Sequence, residues 1–186
     1  MLRKPETEDL ICSKLIEMME TIPFYKIKVA HLVENAGIAR STFYFYFDSI
    51  YAVVQKIEDD FIDGMPESIT ESSVNRAGFV AESLSSEILA GVMYIKKNIR
   101  VFGALSGKYG DPAFQARLIN RSWRLMKMRF AVSTDSHDIR RRLVIEYLLA
   151  GQWNLFKFWA FHENDISVEE VCILIGKLMS QAFNLL

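Results

Sequence analysis

The sequence predicts an all-α protein, with a short three-helix module at the N-terminus followed by a longer helical domain, about nine helices in total. Three observations carry this. Apolar residues recur at spacings of three and four from end to end, alternating runs flanked by turn signals are absent, and the sharpest breaks fall at glycine and proline. With 186 residues, 51% of them hydrophobic, the chain is long enough to bury one large core or two small ones. A charged fraction of 24% is ordinary for a folded domain.

The first helix is expected from about Glu6 to Glu20, with Leu10, Ile11, Leu15, Ile16, Met18 and Met19 as its apolar stripe. Pro5 suits a helix start, and Glu8 and Asp9 complement the positive end of the dipole. Pro23 ends it. Two short helices follow, about Val29–Ala36 and Arg40–Phe47, separated by Gly37. Asp48 is expected to cap a longer fourth helix that begins near Ser49.

Gly64, Met65 and Pro66 open a Ser/Thr-rich run to Ser73, the one plausible linker. Further helices are expected at about Arg76–Asn98, Ile99–Ser106, Pro112–Ala131, His137–His162 and Val168–Phe183. Gly110-Asp111-Pro112 is a break and restart, and Ser167 with Glu170 forms a capping box for the last helix.

The pair of short helices has helix-turn-helix logic. Ala36 lets two helices approach closely, Gly37 supplies the left-handed turn, and Ile38 fills the angle between them. Leu32, Val33, Phe43 and Phe47 point to the core, which leaves Arg40, Ser41, Thr42, Tyr44, Phe45 and Tyr46 facing outward. An outward cluster of aromatics and hydroxyls on so short a helix calls for a partner. Aromatic packing alone explains Phe43 and Phe47 but not Tyr44 and Tyr46 beside Arg40-Ser41-Thr42.

The stretch Gly37-Ile-Ala-Arg-Ser-Thr-Phe-Tyr-Phe-Tyr-Phe47 resembles the recognition-helix signature of TetR-family transcriptional regulators, at the distance from the N-terminus where that family carries it. The diagnostic match covers roughly 25 residues. The resemblance implies a DNA-binding domain over 1–50 and a helical regulatory and dimerisation domain over 51–186. It implies base-edge or backbone contacts from Arg40, Ser41, Tyr44 and Tyr46, and phosphate contacts from Lys28 and Thr42 near helix N-termini. Arg40 is the candidate reader of guanine, and Arg3 and Lys4 lie where a tail reaches the adjacent backbone.

Three positions depart from the family pattern. Ala39 replaces the usual capping Ser, Lys28 a common Thr, and Ile50 a Lys that grips phosphate. Charge is consistent with a weak grip. Residues 1–50 hold six basic and seven acidic side chains, whereas 96–142 hold twelve and three. The expectation is modest affinity with a shallow salt dependence.

In the C-terminal part, the helix after Arg142 is apolar around most of its circumference, so it is expected to be buried on two faces. The last helix has a similar surplus. Together they predict a two-fold dimer interface, which the resemblance also implies, with Leu148, Gly151, Leu155, Trp159, Ile175 and Met179 in it. A dimer implies a palindromic operator on double-stranded DNA. The resemblance further implies a small-molecule effector, for which Phe79, Met93, Tyr94, Phe102, Trp123 and Met126 are candidate pocket residues, although Met and aromatic residues at this spacing also read as plain core.

Other function classes find little support. Phosphate-binding glycine loops, a nucleophile elbow and paired acid/base residues are absent from the sequence, so no catalytic residue is assigned and an enzyme is not expected. His31, His137 and His162 are scattered, so neither metal nor cofactor is expected, and Cys12 and Cys172 read as small buried hydrophobes. With no membrane-spanning run and no signal peptide, the expected location is the cytoplasm. The second reading keeps the fold and drops the DNA role. In it, Ala39 and Ile50 mark a weakened reader that acts as a co-regulator through a protein partner.

Overall fold

The computed structural model describes residues 4–66, 81–130, 139–162 and 164–183. Among them are nine α-helices and one short 3-10 turn: α1 (Lys4–Met19), the 3-10 turn Phe24–Lys26, α2 (Val29–Ala36), α3 (Arg40–Tyr46), α4 (Ile50–Asp63), α5 (Ala81–Lys97), α6 (Ile99–Ser106), α7 (Pro112–Phe130), α8 (Ile139–Ala160) and α9 (Val168–Phe183). The described residues contain no strand. They divide into two compact units, residues 1–64 with 100–114, and 65–99 with 115–186.

In the first unit α1 packs on both α2 and α4, and α2 packs on α3. Ile11, Leu15 and Met19 of α1 meet a core that also takes Leu32, Phe43, Val53, Val54 and Ile57, all buried. Phe61 extends this core, its ring 5.7 Å from those of Phe102 and Phe114. The chain between α1 and α2 is held by a backbone bond from Phe24 N–H to the Tyr109 carbonyl at 3.0 Å. That 3-10 turn leaves no periodic trace in three residues, so the sequence does not announce it.

One cap differs from expectation. Ser49, not Asp48, is the N-cap of α4, its Oγ accepting from the Ala52 N–H at 3.1 Å. Ser49 sits in extended backbone one residue before the helix, which brings its short side chain onto the third helical N–H. Asp48 lies one residue too early for that reach.

The second unit is built by α5 packing on α9 and α8, with α8 also against α9. Ile88, Val92 and Ile95 of α5 and Val171, Ile175 and Met179 of α9 are buried. Ile145 and Leu149 of α8 pack with Ile119 and Trp123 of α7. The start of α9 is a full capping box. The Glu170 N–H donates to Ser167 Oγ at 3.2 Å, and the Ser167 N–H donates to Glu170 Oε2 at 3.0 Å. The Ser167 N–H, and after it the Ser167 hydroxyl donating to the same Oε2 at 2.9 Å, hold the Glu170 carboxyl below its usual range.

Candidate nucleic-acid interface

The interface begins with the turn. Gly37 closes α2 with φ 64° and ψ 32°, the one positive-φ glycine among the described residues. Its N–H donates to the Glu34 carbonyl and the Ile38 N–H to the Val33 carbonyl, so the helix ends in a Schellman motif. The chain then extends through Ala39 and turns at once into α3.

Within α3, Phe43 is fully buried, and Phe47 just past its end is also buried, their ring centroids 6.1 Å apart. These two fix the rotation of the helix. Lys28, Arg40 and Ser41 are exposed, Tyr44 is 49% exposed, and Thr42 and Tyr46 are half-buried. Ser41, Thr42 and Tyr46 share a concavity of about 560 Å³ with Thr7 of α1. Lys28, Arg40 and Tyr44 stand outside that concavity, on other parts of the same module.

Tyr44 is set edge-on against Phe43, with centroids 5.4 Å apart and planes at 84°. Its ring is therefore held at a defined angle while about half of the residue reaches solvent. Lys28 is the N-cap residue of α2 and gives that helix no side-chain cap. Ala39 likewise gives α3 none, leaving amide donors at both helix starts for an anionic partner. Arg3 and the side chain of Lys4 lie outside the described residues.

Phe45, which the sequence turns outward without a role, is the most exposed aromatic side chain of α3 at 68%. Its neighbour Tyr46 meets it edge-on, at 5.1 Å and 83°. The wall contributed by Thr7 was also missed, because no pattern along α1 shows which residues lie against a helix thirty positions later.

The C-terminal candidates divide differently. Leu148, Gly151, Leu155, Ile175 and Met179 line one open groove of about 290 Å³ between α8 and α9. Leu148, Ile175 and Met179 are buried and form its floor, while Tyr147 and Leu178 stand exposed at its edge. Trp159 is corrected to core: it is 2% exposed and its indole N–H donates to the Ile166 carbonyl at 3.2 Å. The apolar surplus noted in the sequence does reach the surface, at Leu143, Tyr147 and Phe158 of α8 and at Ile173, Leu174 and Leu178 of α9.

The candidate pocket residues that are described take separate places, each within its own unit. Phe102 belongs to the core of the first unit against Phe61, because α6 folds with the N-terminal helices. Met93 is half-exposed on α5, since the buried stripe there runs through Ile88, Val92 and Ile95. Tyr94 is half-buried, and Trp123 packs on Ile145 and Leu149 while donating to Glu146 Oε1 at 2.7 Å. Phe79 and the side chain of Met126 lie outside the described residues. Among the described residues no three metal-ligating side chains converge, and no helix is long and apolar enough to cross a membrane.

No family model and no curated protein matches the chain. Solved structures do. A TetR-family transcriptional regulator from Streptomyces coelicolor superposes with a TM-score of 0.64 at 17% identity, over 99% of this chain and 82% of that one. The dihydroxyacetone kinase operon activator DhaS superposes with a TM-score of 0.59 at 14% identity, over 96% of this chain and 94% of that one. The chain has the all-α fold of TetR-family transcriptional regulators.

Proposed function

We propose that the chain is a sequence-specific, DNA-binding transcriptional regulator that works as a homodimer on a palindromic operator and answers to a small-molecule effector as a repressor. The observation that carries it is α3. Two aromatic residues anchor this helix, its opposite side presents Ser41 and Phe45, and Arg40 and Tyr44 stand exposed on its flank. A helix about 10–12 Å across matches a major groove about 12 Å wide.

In this reading residues 1–50 carry the reader and 51–186 the regulatory and dimerisation functions. Arg40 takes guanine, Ser41 and Tyr44 contact base edges or backbone, and Lys28 and Thr42 position phosphates. Tyr46 contacts the backbone from the wall of the concavity. The α8–α9 groove and its apolar edges seat the partner subunit. Such a regulator works in the cytoplasm, with no catalytic step, cofactor or metal.

The test is binding of the purified chain to DNA flanking its own gene at low salt. Saturable binding to one fragment that survives competitor DNA, and is lost in Arg40→Ala but kept in part by Tyr44→Phe, supports the reading. A well-folded chain with no specific fragment supports the second reading, a co-regulator acting through a protein partner. That reading rests on the departures at Ala39, which gives α3 no side-chain cap, and at Ile50.

A further inference from the structure

We infer that the ring of Phe45 reads DNA directly, by taking the 5-methyl group of thymine in the major groove. This rests on the DNA-binding reading above and adds a specificity determinant to it. Helix geometry places Phe45 outermost. At about 100° per residue, Phe45 lies roughly 200° around α3 from both Phe43 and Phe47, directly away from the core they enter. Ser41, one turn earlier, lies on the same outer line. Ser41 and Phe45 thus form the line of α3 that faces away from the core, with Arg40 and Tyr44 to its side.

The chemistry of that line is specific. A 68% exposed phenyl ring has no hydrogen bond to offer a phosphate or a base polar edge. In the major groove, the apolar group that a base pair presents is the thymine methyl, and phenylalanine is among the side chains that contact it. The ring is also pre-positioned, since Tyr46 meets it edge-on at 5.1 Å. A ring held before contact loses less rotational freedom on binding. Arg40 and Lys28 are exposed on the same module, two cations that a polyanion can engage beside the ring.

The test uses the full chain and the duplex it selects from its own flanking DNA, made once with thymine and once with deoxyuridine at every thymine. Uracil keeps the hydrogen bonds and lacks the methyl. Wild type should bind the uracil duplex more weakly, by roughly fourfold for each methyl contacted. Phe45→Ala should bind both duplexes equally, with unchanged thermal unfolding because the side chain lies at the surface. Equal wild-type affinity for the two duplexes overturns the inference and leaves the DNA-binding reading intact. So does a Phe45→Ala variant that still discriminates by the wild-type factor, because another group then reads the methyl. If the folded wild type selects no duplex at all, both fall, and the exposed ring belongs to a protein partner.

Discussion

The backbone N–H of Ile38 donates to the carbonyl of Val33 at 3.0 Å, spanning Gly37 with its φ of 64°. This bond, with that of Gly37 to Glu34, satisfies the last carbonyls of α2 and aims the chain into α3. A Cβ added at Gly37 meets nothing within 4 Å, so substitution is opposed by backbone conformation alone. Gly37→Ala should therefore destabilise the chain by about 1–2 kcal/mol. Gly37→Asn should cost less, because asparagine enters the left-handed region more readily. Urea unfolding of the three proteins decides it, and equal midpoints for Ala and Asn would show that the turn relaxes out of its left-handed state.

Gly110 presents the opposite case. Its φ is unremarkable, but an added Cβ would lie 2.0 Å from the backbone oxygen of Leu105 and 2.7 Å from that of Ala104. Backbone cannot step aside as a side-chain tip can, so Gly110→Ala should cost at least about 2 kcal/mol. At Gly91, inside α5, a Cβ meets nothing within 4 Å. Gly91→Ala should stabilise by about 0.5–1 kcal/mol through helix propensity. Denaturant midpoints moving in opposite directions are the expected result. A destabilised Gly91→Ala would contradict the open space at that position.

These glycines show what the sequence discloses and what it withholds. Gly37 announces itself because Val33, Ala36 and Ile38 surround it with the spacing of a helix end and a new start. Gly110 reads equally well as a plain loop residue, and only the fold brings the Leu105 carbonyl beneath it. Helix positions were legible for the same local reason: caps, prolines and 3.6-residue periodicity act within one or two turns. Asp48 and Ser49 are both good caps one residue apart, so local sequence does not choose between them. The two faces of α8 were legible as an apolar surplus, but not which residue takes which face. Trp159 turned inward because its indole meets the Ile166 carbonyl, a contact set by the loop before α9. Phe102 sits with the N-terminal helices because α6 joins elements that precede it by more than thirty residues, and periodicity carries no such long-range pairing.

Burial pushes the Cys12 thiol up from 9.0 to about 12, with Asp60, Glu8 and Asp9 adding to the shift and Lys56 opposing it. At pH 8 the folded chain should leave Cys12 almost unreactive toward a thiolate-directed alkylating agent, with labelling appearing on unfolding. Because the folded value lies above the unfolded one, the thiol's contribution to stability is complete below about pH 9. It is lost as pH rises toward 12. Cys12→Ala should flatten that alkaline decline. Both cysteines are half-buried and not enclosed as the sequence suggests, so rapid labelling of Cys12 in the native chain at pH 8 would contradict the raised thiol.

The reading face is sparsely cationic, with Lys28 and Arg40 exposed around α2 and α3 and Ile50 at the start of α4. If the chain reads an operator as a dimer, as proposed, its affinity should therefore fall gently with salt. Fewer than about eight phosphates per dimer implies a slope of log affinity against log salt smaller in magnitude than about 7. Ile50→Lys adds a cation in each subunit and should steepen the slope by roughly 2 while raising affinity at low salt. Titrations over a range of salt concentrations measure both. A steep wild-type slope would mean that cations elsewhere on the chain reach the DNA.

On α9, Leu178 is exposed at the edge of the α8–α9 groove, while Trp159 of α8 is enclosed by its own chain. The two positions separate association from folding. If this face seats a second copy, Leu178→Glu places two charges in an apolar contact and should yield a folded monomer by sedimentation. That monomer should also lose operator affinity, because one recognition helix engages one half-site only. Trp159→Ala removes a core ring and should lower stability by about 3–5 kcal/mol. At temperatures where that variant remains folded, its dimerisation should resemble wild type. A Leu178→Glu protein that stays dimeric would move the interface elsewhere, to an apolar surface such as that around Leu143 at the other end of α8.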